Sequence, residues 1–244
     1  MNIALIGYGK MGREIEKIAL SRGHQIVLKV DEHNASTYTD AELRKADAAI
    51  EFSTPETAVN NILRCFRCQV PVVVGTTGWL SQLEEVKKEC QKNGSTFFYA
   101  SNYSIGVNLF FQLNKYLAKL MQNYPGYTPA MEEIHHIHKK DSPSGTGITL
   151  AQDLLAVWKH KTSWVEGNST DPSVLSIHSK REGEVPGTHI IHYASPIDEI
   201  SISHVAHNRQ GFALGAVLAA EWIQGRSGIF GMDDLMGFRQ EVQA

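Results

Sequence analysis

The sequence predicts an α/β chain in which a doubly wound parallel sheet is joined to an α+β region whose sheet is mostly antiparallel. Three observations carry that reading. Strand and helix patterns alternate through the first hundred residues. A glycine-rich turn, Gly7-Tyr8-Gly9-Lys10-Met11-Gly12, separates the first strand from the first helix. After Asn102 the rhythm changes to a long helix and then extended runs with turn residues between them.

The elements follow in order. Asn2–Ile6 is a short apolar strand, and Lys10–Ser21 carries Met11, Ile15, Ile18 and Ala19 at helical spacing. Gln25–Val30 is the second strand, and the polar stretch from Glu32 to Lys45 has room for one abbreviated turn of helix. Ala48–Phe52 is a strand, and Pro55–Arg67 is a helix with proline in its first turn. Val70–Val74, nearly all valine, suits a parallel strand covered on both faces. Leu80–Gln91 is amphipathic and Thr96–Tyr99 is extended. Ile105–Met121 then reads as one helix with Val107, Phe110, Phe111, Leu113, Tyr116, Leu117 and Leu120 on its apolar side. Tyr127–His138 is extended and Ser144–Trp158 helical. Val174–Arg181, Thr188–Tyr193 and Glu199–His207 are expected to be antiparallel strands, turned by Gly183, Gly187 and Pro196-Ile197-Asp198. Phe212–Gln224 and Met232–Arg239 close the chain as helices.

Composition narrows the function. A hydrophobic content of 42% and a charged content of 20% belong to an ordinary globular protein. The net charge of −3 leaves no basic surplus for nucleic acid. No apolar run approaches the roughly 20 residues that span a bilayer, so no membrane partner is expected. Three cysteines cannot all pair, which suits a reducing cytoplasm. Cys65-Phe66-Arg67-Cys68 has metal-like spacing but no second pair, and reads as packing.

The glycine turn has the context of a dinucleotide fingerprint, since it follows a strand, opens a helix and precedes Asp31 at the end of the second strand. Gly7 permits the tight turn, Gly9 lets a pyrophosphate approach the backbone, and Gly12 allows close helix–strand packing. A Rossmann-like half is therefore expected. Asp31 would bond the adenosine ribose, and Glu32 behind it would repel a 2′-phosphate, which favours NADH over NADPH. Gly75-Thr76-Thr77-Gly78 and Ala100-Ser101-Asn102-Tyr103-Ser104 end two further strands, where ligands bind in such sheets.

The densest chemistry lies between Glu132 and Thr146. His135 can donate a proton near neutral pH, and Lys139 can stabilise an anion. Gly145 and Thr146, at the next helix start, offer N–H groups and a hydroxyl to a carboxylate. His135, His136 and His138 could be metal ligands, but adjacent residues of a strand face opposite ways and no Asp or Cys partner stands at ligand spacing. No metal is expected.

Glu133-Ile134-His135-His136-Ile137-His138-Lys139-Lys140-Asp141-Ser142-Pro143-Ser144-Gly145-Thr146 resembles the E-x-H-H-x-x-K-x-D-x-P-S-G-T signature of the dihydrodipicolinate reductase (4-hydroxy-tetrahydrodipicolinate reductase) family. The likeness extends to the glycine turn, Glu51-Phe52-Ser53-Thr54-Pro55-Glu56, Gly75-Thr76-Thr77-Gly78, Asn102 to Asn108, His204 to Arg209 and Gly228 to Leu235. It implies NAD(P)H-dependent reduction of a small cyclic dicarboxylate in the diaminopimelate route to lysine. Position by position, it implies His135 and Lys139 as catalytic groups, with His136, Gly145 and Thr146 on the substrate carboxylates. It implies Gly7, Tyr8, Gly9, Lys10, Met11, Gly12, Asp31, Gly75, Thr76, Thr77, Ala100, Ser101, Asn102 and Tyr103 at the cofactor, and Arg209 beside the nicotinamide or the cleft. Residues 1–104 and 213–244 would form the dinucleotide-binding domain, and 105–212 the substrate-binding and oligomerisation domain of a homotetramer.

Two departures stand out. The glycine turn is one residue shorter than the family's Gly-x-x-Gly-x-Met-Gly form, and the stretch between Asp31 and Ala48 is much shorter than usual. Glu32 also replaces the basic residue with which the family reads a 2′-phosphate. The competing readings are another NAD(P)-dependent reductase of a small anion, and a non-catalytic NADH-sensing protein.

Overall fold

The computed structural model describes residues 1–208 and 210–238. Arg209 and the expected end of the last helix at Arg239 lie outside the described residues. The chain divides into two compact units, one made of residues 1–104 with those from 210 onward, the other of residues 105–209.

In the first unit the elements are β1 (Asn2–Ile6), α1 (Lys10–Ser21), β2 (Gln25–Val30), α2 (Asp40–Leu43), β3 (Ala48–Glu51), α3 (Pro55–Cys68), β4 (Val72–Val74), α4 (Leu83–Lys92) and β5 (Thr96–Tyr99). From the second unit come α5 (Ile105–Met121), β6 (Thr128–His135), α6 (Gly145–Val157), β7 (Ser163–Glu166), β8 (Val174–Arg181), β9 (Gly187–Ala194) and β10 (Glu199–Ala206). The chain then returns to the first unit with α7 (Gln210–Trp222), β11 (Gly228–Phe230) and α8 (Met232–Leu235).

The first sheet runs β11-β5-β4-β3-β1-β2, with every pairing parallel. Its strands are short and nearly all apolar because helices cover both faces. Ile62, Cys65 and Phe66 of α3 pack with Val72, Val74 and Phe97 in one buried cluster, so both cysteines of the Cys65–Cys68 pair are buried free thiols. The chain leaves β1 toward β2 on one side and returns to β3 on the other. That reversal opens a crevice at the C-terminal ends of β1 and β3, where such sheets bind ligands.

The second sheet is mixed and runs β10-β9-β6-β8-β7. Its two longest ladders, β10 with β9 and β9 with β6, are antiparallel. The expected antiparallel pairing of Val174–Arg181 with its successor gives way here. β6 lies between β8 and β9, and β8 pairs parallel with β6. Two short strands escaped the sequence reading, β7 at an edge of this sheet and β11 at an edge of the first. α5 and α6 bury Phe110, Met121, Leu150 and Leu154 against Met131, Leu175, Ile191 and Tyr193. No helix among the described residues is long and apolar enough to cross a membrane.

Candidate active site

Backbone geometry shapes the crevice of the first unit. Gly7 holds φ at +94°, and a Cβ there would lie 2.0 Å from the Phe52 carbonyl oxygen. At Gly12 a Cβ would lie 2.5 Å from the Gly7 carbonyl oxygen. Nothing lies within 4 Å of the Cβ position of Gly9, the N-cap of α1, so the way to the helix N-terminus is open. The glycine turn is pinned from behind, because the N–H groups of Gly7 and Tyr8 both donate to the Val30 carbonyl at 2.9 Å.

A cavity of about 890 Å³ extends from this turn, lined by Gly7, Tyr8, Gly9, Lys10, Asp31, Glu32, Tyr38 and Arg64 among others. A second, of about 400 Å³, is lined by Gly9, Lys10, Met11, Ser53, Gly75, Thr76 and Thr77. Gly12 is buried beneath the turn. These residues fit a dinucleotide: an open helix N-terminus for the pyrophosphate, a carboxylate beyond it and hydroxyls on the other side. Ala100, Ser101, Asn102 and Tyr103 line neither cavity. Tyr103 is buried against Phe52 and Phe98, its hydroxyl donating to the Val74 carbonyl at 2.7 Å. Asn102 accepts from the Ser104 N–H.

One buried group here was not foreseen as part of a site. Glu51, at the end of β3, is fully buried and accepts from the Ser53 hydroxyl and from Asn61 Nδ2. Burial holds its carboxyl above the usual range despite these bonds. The Ser53 N–H donates to Thr76 Oγ1 at 2.8 Å, so Ser53, held by Glu51, ties together the two loops that line the smaller cavity.

In the second unit the cluster is assembled across three strands. Along β6, burial alternates so that Pro129, Met131, Glu133 and His135 point inward. Glu133 stands opposite His189 on β9 and Ser179 on β8, and His135 stands opposite Arg181. The donors and cations around the Glu133 carboxylate come from this register and from the start of α6, and they include Arg181 Nη1 at 3.8 Å. Ser144, the N-cap of α6, donates its N–H at 2.9 Å and its hydroxyl, Ser179 donates its hydroxyl at 3.1 Å, and His189 Nε2 lies 3.6 Å away. Gly147 lets this happen, since a Cβ there would lie 2.5 Å from the carboxylate.

Burial alone would raise the Glu133 carboxyl, but His189 and the Ser144 hydroxyl and N–H outweigh it and bring it down to about 2. It is therefore a carboxylate. His135 Nδ1 faces it at 3.9 Å without a hydrogen bond. Burial first, then the neighbouring His189, lowers the His135 imidazole to about 4 against the pull of Glu133. The His135 and His189 rings meet edge to face with centroids 5.1 Å apart.

Lys139 and His136 lie in the turn that follows β6. Lys139 Nζ is held by both oxygens of Asp141 at 2.9 Å. Arg181 fastens the same turn through the carbonyls of Lys139 and Asp141. His136 is half-buried and its Nδ1 has no hydrogen-bond partner. Gly145 and Thr146 form the first turn of α6, directly after Ser144. His138 is exposed and reaches Glu184 at 3.1 Å. Among the described residues, the group of histidines and acids that could converge on an ion is Glu133, His135 and His189, a different set from the three histidines adjacent in sequence. Its carboxylate already accepts three donors.

Comparison with known proteins decides the family. The N-terminal part of the dihydrodipicolinate reductase family matches residues 1–103, and the C-terminal part matches residues 106–236. The chain belongs to the dihydrodipicolinate reductase family. It is 49% identical to a 4-hydroxy-tetrahydrodipicolinate reductase of Christiangramia forsetii, over 97% of this chain and 98% of that one. It is 32% identical to the protein of that name from Methanoregula boonei, over 95% and 96% of the two chains. The fold matches a dipicolinate-bound dihydrodipicolinate reductase from a Paenisporosarcina species with a TM-score of 0.76, at 22% identity, covering 96% of this chain and 98% of that structure. Like others of its family, the chain is a reductase that works with a nicotinamide cofactor.

Sequence reasoning missed Glu133, Ser144, Arg181 and His189 as members of the cluster. Glu133 could have been found, since it is a carboxylate at an inward position of an alternating strand. His189 could not, because its proximity depends on which strand pairs with which.

Proposed function

We propose that this chain reduces 4-hydroxy-tetrahydrodipicolinate, or the dihydrodipicolinate formed from it by loss of water, to tetrahydrodipicolinate in lysine biosynthesis. One observation carries the assignment of roles: a buried imidazole, His135, faces an ionised carboxylate beside a basic turn and a helix start. NAD(P)H supplies the hydride. The glycine turn and the N-terminus of α1 bind the pyrophosphate, Asp31 the ribose, and the loops at Gly75–Thr77 and Ala100–Tyr103 the nicotinamide half. Asp31 followed by Glu32 favours NADH.

In the second unit, Lys139, His136 and the N–H groups of Gly145 and Thr146 take the substrate carboxylates. Lys139 exchanges Asp141 for substrate as its partner. His135 delivers the proton that balances hydride addition. In the free protein it is neutral at pH 7, because its pKa lies near 4. A bound dianion adds negative charge beside it and raises that value, so the acid forms only where substrate is bound. Nδ1 faces inward toward Glu133, which leaves Nε2 for the substrate.

The exposed Ile197, Ile200 and Val205 on and near edge strand β10, with Leu109, Leu113, Tyr116 and Leu120 on α5, support assembly through this unit. The family's homotetramer is the assembly we propose, in the cytoplasm.

The test is an assay with substrate generated from aspartate semialdehyde and pyruvate by the upstream synthase, following oxidation of NADH and of NADPH. His135→Gln is expected to lower kcat by roughly 10²–10⁴ with NADH affinity kept. Wild-type turnover in that variant would remove His135 from its role. NADH binding without consumption of any cyclic imine would favour a sensing protein instead.

A further inference from the structure

The stretch between Asp31 and Ala48 is short, and the structure shows what stands there instead. A turn held by Asn34, whose Oδ1 accepts the Asp31 N–H, leads to Tyr38 and the four-residue α2. Tyr38 is buried, and the Arg64 guanidinium from α3 lies over its ring, 3.7 Å from the centroid. Two hydrogen bonds fix the guanidinium in its plane: Nε donates to Asp40 Oδ1 and Nη2 to the Tyr38 carbonyl, each at 2.7 Å. Asp40 is itself anchored at the start of α2, whose capping box joins Thr39 and Glu42.

Tyr38 and Arg64 both line the 890 Å³ cavity that begins at the glycine turn and includes Asp31. A dinucleotide presents pyrophosphate, ribose and adenine in that order. With the pyrophosphate at the glycine turn and the ribose at Asp31, the base falls to the far wall. A planar cation pinned at two edges and backed by an aromatic ring has its remaining face to offer that cavity. Guanidinium planes stack on flat π-systems, and adenine is one.

We propose that Arg64 is the adenine-binding residue of this chain, stacking its free face on the base while Tyr38 backs it. The inference rests on the reading that the first unit binds a nicotinamide dinucleotide. It replaces structure lost between Asp31 and Ala48 with a contact from α3. The Asp40 and Tyr38 bonds make the contact cheap in entropy, because the side chain is ordered before the ligand arrives.

The test is a pair of binding titrations, by protein fluorescence, of the wild type and Arg64→Lys with NADH and with reduced nicotinamide mononucleotide. Lysine keeps the charge and loses the plane. The NADH dissociation constant is expected to rise about tenfold, and the mononucleotide constant to stay within twofold. The mononucleotide lacks adenine and so reports whether the rest of the site is intact. An unchanged NADH constant, or equal losses for both ligands, would overturn the role of Arg64 and leave the dinucleotide reading standing. A wild type that binds neither NADH nor NADPH would overturn both.

Discussion

Around the glycine turn, fitness for a ligand belongs to the backbone, whereas around His135 it belongs to buried side chains. The first site works by omission. Gly7 and Gly12 have no room for a Cβ, and Gly9 leaves space that nothing in the protein fills. The second works by saturation, with a buried carboxylate taking donors from Ser144 and Ser179 and facing two imidazoles. A backbone site fails through shape, and its failures appear as lost folding or lost cofactor binding. A side-chain site fails through charge, and its failures appear in protonation states and in kcat.

Gly7→Ala should break the first site most severely. The new methyl would sit 2.0 Å from the Phe52 carbonyl oxygen, at a φ of +94° that alanine resists. Overpacking and backbone strain together should cost about 3 kcal/mol, lowering the melting temperature by about 10 °C. NADH binding should fall with it. Melting within 2 °C or so of wild type, with NADH affinity kept, would mean that the turn yields where the structure shows it closed.

Glu133→Gln sharpens the other half of the comparison. The shape is nearly unchanged, but one acceptor becomes a donor facing the Ser144 N–H and hydroxyl. A loss of about 2 kcal/mol in stability is expected, with kcat down by roughly 10- to 100-fold as His135 loses its fixed neighbour. NADH affinity should not move, since every group involved lies in the second unit. A variant with wild-type kcat would reduce Glu133 to a brace for α6.

Much of this was legible in the sequence, for definable reasons. β1, α1, β2, β5, α5 and β8 have the predicted bounds, because apolar periodicity and turn residues act locally. The strand from Val70 begins only at Val72, after Pro71, which has no N–H for the ladder. β7 and β11 escape sequence reading because they are short, partly exposed edge strands without the buried run that marks the equally short β3 and β5. β8 was assigned the wrong partner because alternation tells which face is buried and not which strand lies beside it. The same gap hid His189. It reaches Glu133 only because β9 pairs antiparallel with β6 in this register. His135, Lys139, Gly145 and Thr146 can be proposed together from sequence because one loop and its flanking elements carry them all. Arg64 stayed hidden for the opposite reason: it serves its cavity from α3, outside every motif.

The smallest expected effect separates the two sites by titration. Unfolded, His135 would have its ordinary value near 6.5, and in the fold it lies near 4. The fold therefore favours neutral imidazole, and the resulting stability is present above about pH 6.5 and lost as pH falls toward 4. Glu133 goes the same way over a lower range. Its folded value of about 2 lies below its ordinary 4.5, so its stabilisation is present above about pH 4.5 and lost toward pH 2. Together they predict an acid limb in two stages. His135→Gln should remove the upper stage and keep the lower one, flattening the melting temperature between pH 6.5 and 4 by about 5 °C relative to wild type. His204, also lowered by burial, stays in both proteins and cancels in the difference. Gly7→Ala, measured alongside, should shift the whole curve down without changing its slope. If wild type and His135→Gln lose stability in parallel between pH 6.5 and 4, His135 is not held neutral by the fold, and the acid would already be present before substrate arrives.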